Sequence, residues 1–122
     1  MLVGSVSDIA FKYSHALKTH YLKGELPTVK RGLYGGELNQ YNVSLEHLVP
    51  KAYPYCGHTT LYNLALATRR NNNKRGTKPL SECLSLEQAE AYLDQFRGIH
   101  LNDFNGDKYA KILGYKFKKM LT

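Results

Sequence analysis

Glu46 and His47 stand side by side, and Asn63 and Asn72 follow them downstream. Side chains of these types could carry the hydrolysis of a phosphodiester. That reaction needs an attacking water stripped of a proton, neutralisation of charge on the phosphate and help for the departing oxygen. A neutral imidazole at His47 suits the first task near neutral pH, where an unperturbed carboxylate is too weak a base and a lysine is already protonated. Glu46 and Asn72 offer hard oxygen ligands, one charged and one neutral. Such a pair suits magnesium or manganese, with water and phosphate oxygens completing the shell.

The text around these residues reads YNVSLEHLVP from Tyr41 to Pro50 and NLALATRRNNNKRG from Asn63 to Gly76. An acidic residue before a His, Val-Pro just after it, Asn-Leu opening a short apolar run and Asn nine residues further on form a combination in which each part alone would be weak. Over roughly residues 41 to 80 the chain resembles the HNH nuclease family. Position 72 is Asn where the commonest pattern has His, so the resemblance is to the His-Asn-Asn variants. Many members carry two Cys-x-x-Cys pairs for a structural zinc; this chain has only Cys56 and Cys83, so no structural zinc is expected.

The resemblance implies an α+β fold with a ββα-metal core at about 41–80, in which a strand, a loop, a second strand and a short helix gather positions 46, 47, 63 and 72. It implies a DNA endonuclease using one divalent ion, Mg2+ or Mn2+, with His47 as general base and Glu46 and Asn72 as metal ligands. Asn63 would hydrogen-bond His47 and fix its tautomer. The products implied are a 5′-phosphate and a 3′-hydroxyl.

The elements that must position these residues are legible in outline. Val43 to Val49 reads as a strand halted by Pro50, which places His47 near its end. Residues 51 to 62, with Pro54, Gly57, Thr59 and Thr60, have the chemistry of a loop longer than a hairpin turn. Leu64 to Thr68 reads as a second strand and Arg69 onward as a helix closed by Gly76. Upstream, Ser7 as an N-cap, the spacing of Ile9, Tyr13, Leu17 and Tyr21, and Gly24 predict an amphipathic helix. Leu26 to Gln40 reads as an irregular or hairpin segment in which Arg31 is a candidate phosphate contact. Downstream, Ser85-Leu-Glu-Gln88 is a capping box opening a helix with Leu86, Ala89, Leu93 and Phe96 on its apolar face. Asp107 to Met120 predicts another, with Tyr109, Ile112, Leu113, Phe117 and Met120 on one side despite Gly114. The flanking N- and C-terminal helices read as packing elements that support the small core.

The chain has 122 residues, 43% of them hydrophobic, room for one core, and no linker, repeat or low-complexity tract, so residues 1–122 read as a single domain. Seventeen Lys and Arg against ten Asp and Glu give a formal charge of +7 and a pI near 9.4. Arg69, Arg70, Lys74, Arg75 and Lys78 cluster beside the proposed site, where they would bind phosphates without reading sequence. Ten tyrosines are many for this length. Tyr53, Tyr55 and Tyr62 lie in or beside the central loop, where rings fill a core edge or stack on bases. The remaining histidines, His15, His20 and His100, have no partner motif, and Cys56-Gly57-His58 lacks the further ligands of a metal centre.

Double-stranded DNA is the partner expected, and a homodimer is left open. Two distant Cys, no secretory segment and no apolar run of about 18 residues point to a cytoplasmic protein without a membrane span, compatible with phage origin in a bacterial host. Two alternatives stay open: a non-catalytic nucleic-acid-binding accessory protein on the same scaffold, and an RNA-directed nuclease.

Overall fold

Val43 to His47 and Leu64 to Thr68 pair as antiparallel strands β1 (Val43–His47) and β2 (Leu64–Thr68) in a computed structural model that describes residues 16–122. Val43 lies opposite Thr68 and His47 opposite Leu64. β2 is buried along its whole length, which is why it reads LALAT rather than as an apolar–polar alternation. Helix α2 (Arg69–Arg75) follows without a linker. The Thr68 hydroxyl caps it by accepting from the Asn71 N–H, and Gly76, at φ 54°, ends it.

Strand β1 ends two residues before the expected Val49. The Leu48 N–H still reaches across to the Asn63 carbonyl, but the Val49 N–H is taken by the Asn63 side chain, so the ladder cannot continue. The expected loop also closes early, because Leu61–Asn63 folds as a 3₁₀ turn leading into β2.

The free edge of β2 is covered from two sides. The Leu33 N–H donates to the Leu66 carbonyl at 2.9 Å, within a turn closed by the Arg31–Glu37 bridge. Gly32 passes so near that a Cβ there would lie 3.0 Å from the Ala67 Cα, so only glycine fits without displacement. Farther along, the Leu66 N–H donates to the Tyr92 hydroxyl (2.8 Å) and the Tyr109 hydroxyl donates to the Leu64 carbonyl (2.7 Å). Tyr109 has spent its one proton, so the 2.9 Å bond between the hydroxyls runs from Tyr92 to Tyr109. Two buried tyrosines thus replace a missing strand and leave no polar edge group of this stretch unpaired.

These tyrosines come from α3 (Leu86–Asp94) and α4 (Gly106–Leu121), which pack on each other with Gly114 facing the Leu93 side chain. The capping box forms as expected: Ser85 accepts from the Gln88 N–H while Gln88 reaches back to the Ser85 N–H. Ala89, Leu93, Tyr109, Leu113 and Phe117 are buried, whereas Leu86, Ile112 and Met120 are only half-buried. Phe96 is buried from beyond the end of α3. Between the helices a short hairpin, β3 (His100–Leu101) and β4 (Phe104–Asn105), is an element the sequence did not announce.

At the other end, residues 16–22 are helical (α1), with Leu17 in the core and Gly24, at φ 77°, just after the last turn. Ser7, Ile9, Tyr13 and His15 lie outside the described residues. His20 is bracketed by Glu25 (2.9 Å) and Asp103 (2.7 Å), tying α1 to the β3–β4 turn, and His100 meets Asp107 at 2.6 Å. The architecture is α+β, with helices around two small antiparallel sheets. No helix among the described residues is long and apolar enough to cross a membrane.

Candidate functional site

Neighbouring residues of a strand face opposite ways, so Glu46 and His47 leave β1 on opposite sides. Glu46 points inward and is 4% exposed. Its Oε2 accepts the Tyr34 hydroxyl at 2.6 Å, and its Oε1 lies 3.5 Å from Nη1 of Arg75. Burial pushes the carboxyl above its ordinary value, and Tyr34 and Arg75 pull against that by favouring the charged form. The same burial and the Glu46 hydrogen bond push the Tyr34 phenol well up, so Tyr34 stays the donor.

His47 is half-buried at the strand end, and its Nε2 lies 2.9 Å from the Thr59 hydroxyl. Burial, with the Lys51 ammonium nearby, holds the imidazole below its usual range, so the neutral form is favoured. Thr59 is a residue that sequence reasoning passed over, because a hydroxyl twelve positions from its partner has no periodic signature.

Asn63 does not hydrogen-bond the imidazole, which corrects the role expected for it. Its Oδ1 accepts from the Val49 N–H (2.9 Å), and its Nδ2 donates to the carbonyls of His58 (2.7 Å) and Val49 (3.2 Å). The amide therefore clips together the two ends of the loop that starts just after His47. Asn63 acts on the backbone that carries the imidazole and on the segment that carries Thr59.

Asn72 lies across β1 from α2: its Nδ2 donates to the Ser44 hydroxyl (2.9 Å) and to the Leu45 carbonyl (3.0 Å). Three residues on, the same helix face carries Arg75. Ser44 and Glu46 share a face of β1 in the same way, so Asn72 sits over Ser44 and Arg75 over Glu46.

Arg75 cannot serve as the phosphate contact expected of it. It is 3% exposed, and its guanidinium donates to the carbonyls of His47 (2.6 Å), Leu48 (2.9 Å) and Lys78 (2.8 Å) while pairing with Glu46. A planar five-donor fork suits this multiple role, for which a lysine has too few directed donors. The other four cations of the cluster, Arg69, Arg70, Lys74 and Lys78, are exposed. Arg69 donates to the Tyr41 carbonyl (3.2 Å), and the Lys78 ammonium donates to the Lys74 carbonyl (3.3 Å). Arg31 is also exposed, and its backbone N–H and carbonyl are held by the Gln95 side chain.

The donor set suits one hard divalent ion in type. With its NH2 group spent on β1, Asn72 has an Oδ1 that accepts no hydrogen bond from any described residue, and a carboxylate lies on the adjacent position of the same strand face. Arg75 competes for that carboxylate, since a cation there would share Glu46 with the guanidinium. Among the described residues no group of three or more His, Cys, Asp or Glu side chains could hold a metal. Cys56 is exposed, Cys83 is half-buried, and both are free thiols.

The structure thus brings His47, Thr59 and Asn63 together around the loop neck, and Glu46, Asn72 and Arg75 between β1 and α2. Compared with protein-family models, curated proteins and solved structures, the chain matches none.

Proposed function

We propose that this chain is a divalent-metal-dependent endonuclease of the ββα-metal (HNH) type that hydrolyses DNA phosphodiester bonds. The observation that carries the reading is the neck at the end of β1. A half-buried imidazole kept neutral by its surroundings is held by Thr59, on a loop that Asn63 clips shut.

In the tautomer whose Nε2–H donates to the Thr59 hydroxyl, the Nδ1 lone pair of His47 is the base. It takes a proton from water as the water oxygen bonds to phosphorus, and the bond from phosphorus to the 3′ oxygen breaks. Glu46 and Asn72 would hold a Mg2+ or Mn2+ ion, which supplies charge neutralisation at the phosphate and help for the leaving oxygen. Arg75 positions the backbone of His47 through its carbonyl, and the exposed Arg69, Arg70, Lys74 and Lys78 attract the polyanion.

One observation favours a second reading, a DNA-binding protein without turnover: both Glu46 oxygens already have partners. Supercoiled plasmid incubated with Mg2+, Mn2+ or chelator, beside His47→Ala purified identically, separates the two. Metal-dependent nicking or linearisation that disappears in the variant is the expected result. Equal cutting by both proteins would refute His47 as the base. DNA bound but uncut by either would leave the binding module.

A further inference from the structure

Between the neck and Thr59 the chain makes an exposed excursion. Residues 51–56 are all exposed, yet two of the six are tyrosines: Tyr53 is 88% and Tyr55 50% exposed. Large aromatic rings left in water need a reason, and the other described tyrosines mostly have partners. Tyr92 and Tyr109 are buried, and Tyr21, Tyr34 and Tyr62 pack against the core.

The excursion is nevertheless anchored. The Gly57 N–H donates to the Pro50 carbonyl at 2.8 Å, and a Cβ on Gly57 would fall 1.9 Å from the Val49 carbonyl oxygen, so the two ends of the loop touch. Asn63 clips the same ends, and within the tip the Tyr55 N–H donates to the Ala52 carbonyl. Two rings are therefore presented from a fixed base that begins three residues after His47.

Along the chain that follows Glu46 the charge has one sign. From His47 to Ser81 the chain carries Lys51, Arg69, Arg70, Lys74, Arg75 and Lys78 and no Asp or Glu. Through its guanidinium, Arg75 bonds the Leu48 and Lys78 carbonyls, so the Lys74–Lys78 end of α2 adjoins the neck. At the opposite end of α2, Arg69 bonds the carbonyl of Tyr41, itself 78% exposed. Cations run along the helix, whose last turn adjoins the neck that carries the tyrosine loop, and Tyr41 is exposed at its first turn.

We propose that the 51–56 excursion is a stacking finger for unpaired bases, and that the ligand of this face is single-stranded DNA. The inference rests on the reading of this face as a nucleic-acid site, and it concerns binding rather than cutting. In a duplex the base faces are covered by their neighbours; in a single strand they are open to Tyr53 and Tyr55 while the α2 cations follow the phosphates. Stacking tolerates any base, so the preference is for strandedness rather than for sequence.

The test is fluorescence anisotropy of a labelled 20-mer single strand and of a hairpin duplex of equal charge, in chelator so that nothing is cut. Three proteins suffice, each checked by circular dichroism: wild type, the double variant Tyr53→Ala with Tyr55→Ala, and the double variant Tyr53→Phe with Tyr55→Phe. The expected result is tighter binding of the single strand by wild type, and a loss of about tenfold or more in the Ala variant on the single strand alone. The Phe variant should restore binding, because the rings and not the hydroxyls do the stacking. Equal loss on both ligands, or no rescue by Phe, overturns the finger while leaving a nucleic-acid site intact. Tighter, ring-dependent binding of the matching RNA strand overturns the choice of DNA. Wild type that binds neither ligand overturns the finger and the nucleic-acid site together.

Discussion

Replacing Asn63 with Ala removes three hydrogen bonds at once: from the Val49 N–H, to the Val49 carbonyl and to the His58 carbonyl. Each such bond contributes about 1 kcal/mol net. Water recovers part of this at Val49, which is 40% exposed, but little at the buried Asn63 position itself. The expected cost is about 2–3 kcal/mol, which for a chain of this size lowers Tm by roughly 10 °C. Because the clip closes the loop rather than filling the core, the variant should still unfold cooperatively, with an unchanged denaturant slope. Asn63→Asp separates the three bonds. It keeps the acceptor for the Val49 N–H, loses both donated bonds and faces two carbonyls with a carboxylate, so it should be no more stable than the Ala variant. Urea unfolding followed by circular dichroism gives the stabilities, and proteolysis at the exposed 51–56 tip reports whether the neck has opened. A loss below about 0.5 kcal/mol for Asn63→Ala, or an Asp variant as stable as wild type, would refute the clip.

Two further outcomes follow from the same geometry. Arg75→Met leaves Glu46 buried without its cation and strips donors from three carbonyls, so a loss of about 3–5 kcal/mol is expected in the same urea assay; a near-neutral change would mean that the guanidinium is dispensable. The His47 imidazole should titrate below its ordinary value of 6.5 in an NMR experiment with His47→Gln as the assignment control. Since the folded protein then binds fewer protons at this site than the unfolded chain, His47 supports stability above pH 6.5, and that contribution falls away as pH drops toward the folded value. A midpoint at or above 6.5 would contradict the burial argument.

β1, β2, α2 and α3 were legible in outline because each rests on a local rule. Leu64 to Thr68 is a short apolar run, Gly76 ends α2, and Ser85 with Gln88 forms the capping box of α3. What the sequence concealed is where the polar groups go. Arg75 sits among exposed cations in sequence and looks like one of them, yet it is the member of that cluster that turns inward, because it lies one turn past Asn72 and over Glu46 of β1, whereas Arg69, one turn before Asn72, is exposed. Tyr92 gave no sign of importance, since its role depends on an unpaired edge of β2 that only the tertiary structure creates. The β3–β4 hairpin has two residues in each strand, too few for any alternation to show.

β2 joins the readable part to the hidden part. Along its length one edge pairs with β1, and the other is closed by Leu33 and by the hydroxyls of Tyr92 and Tyr109. A strand paired on both edges and buried on both faces cannot slide without breaking ladder bonds and shifting every residue to the wrong side. β1 inherits that fixed register, so Glu46 must face inward to Arg75 and His47 must face the loop. The adjacency of Glu46 and His47 in sequence therefore does not put their side chains on one face of the strand. One secures the strand from beneath through Arg75, whose guanidinium holds the His47 carbonyl, while the other offers its ring to Thr59 and to the loop. Exposed tyrosines can be carried at the tip of that loop because nothing in the core depends on them, and a neck held by Asn63 would serve the proposed site by keeping the base still while the tip meets a strand of any sequence.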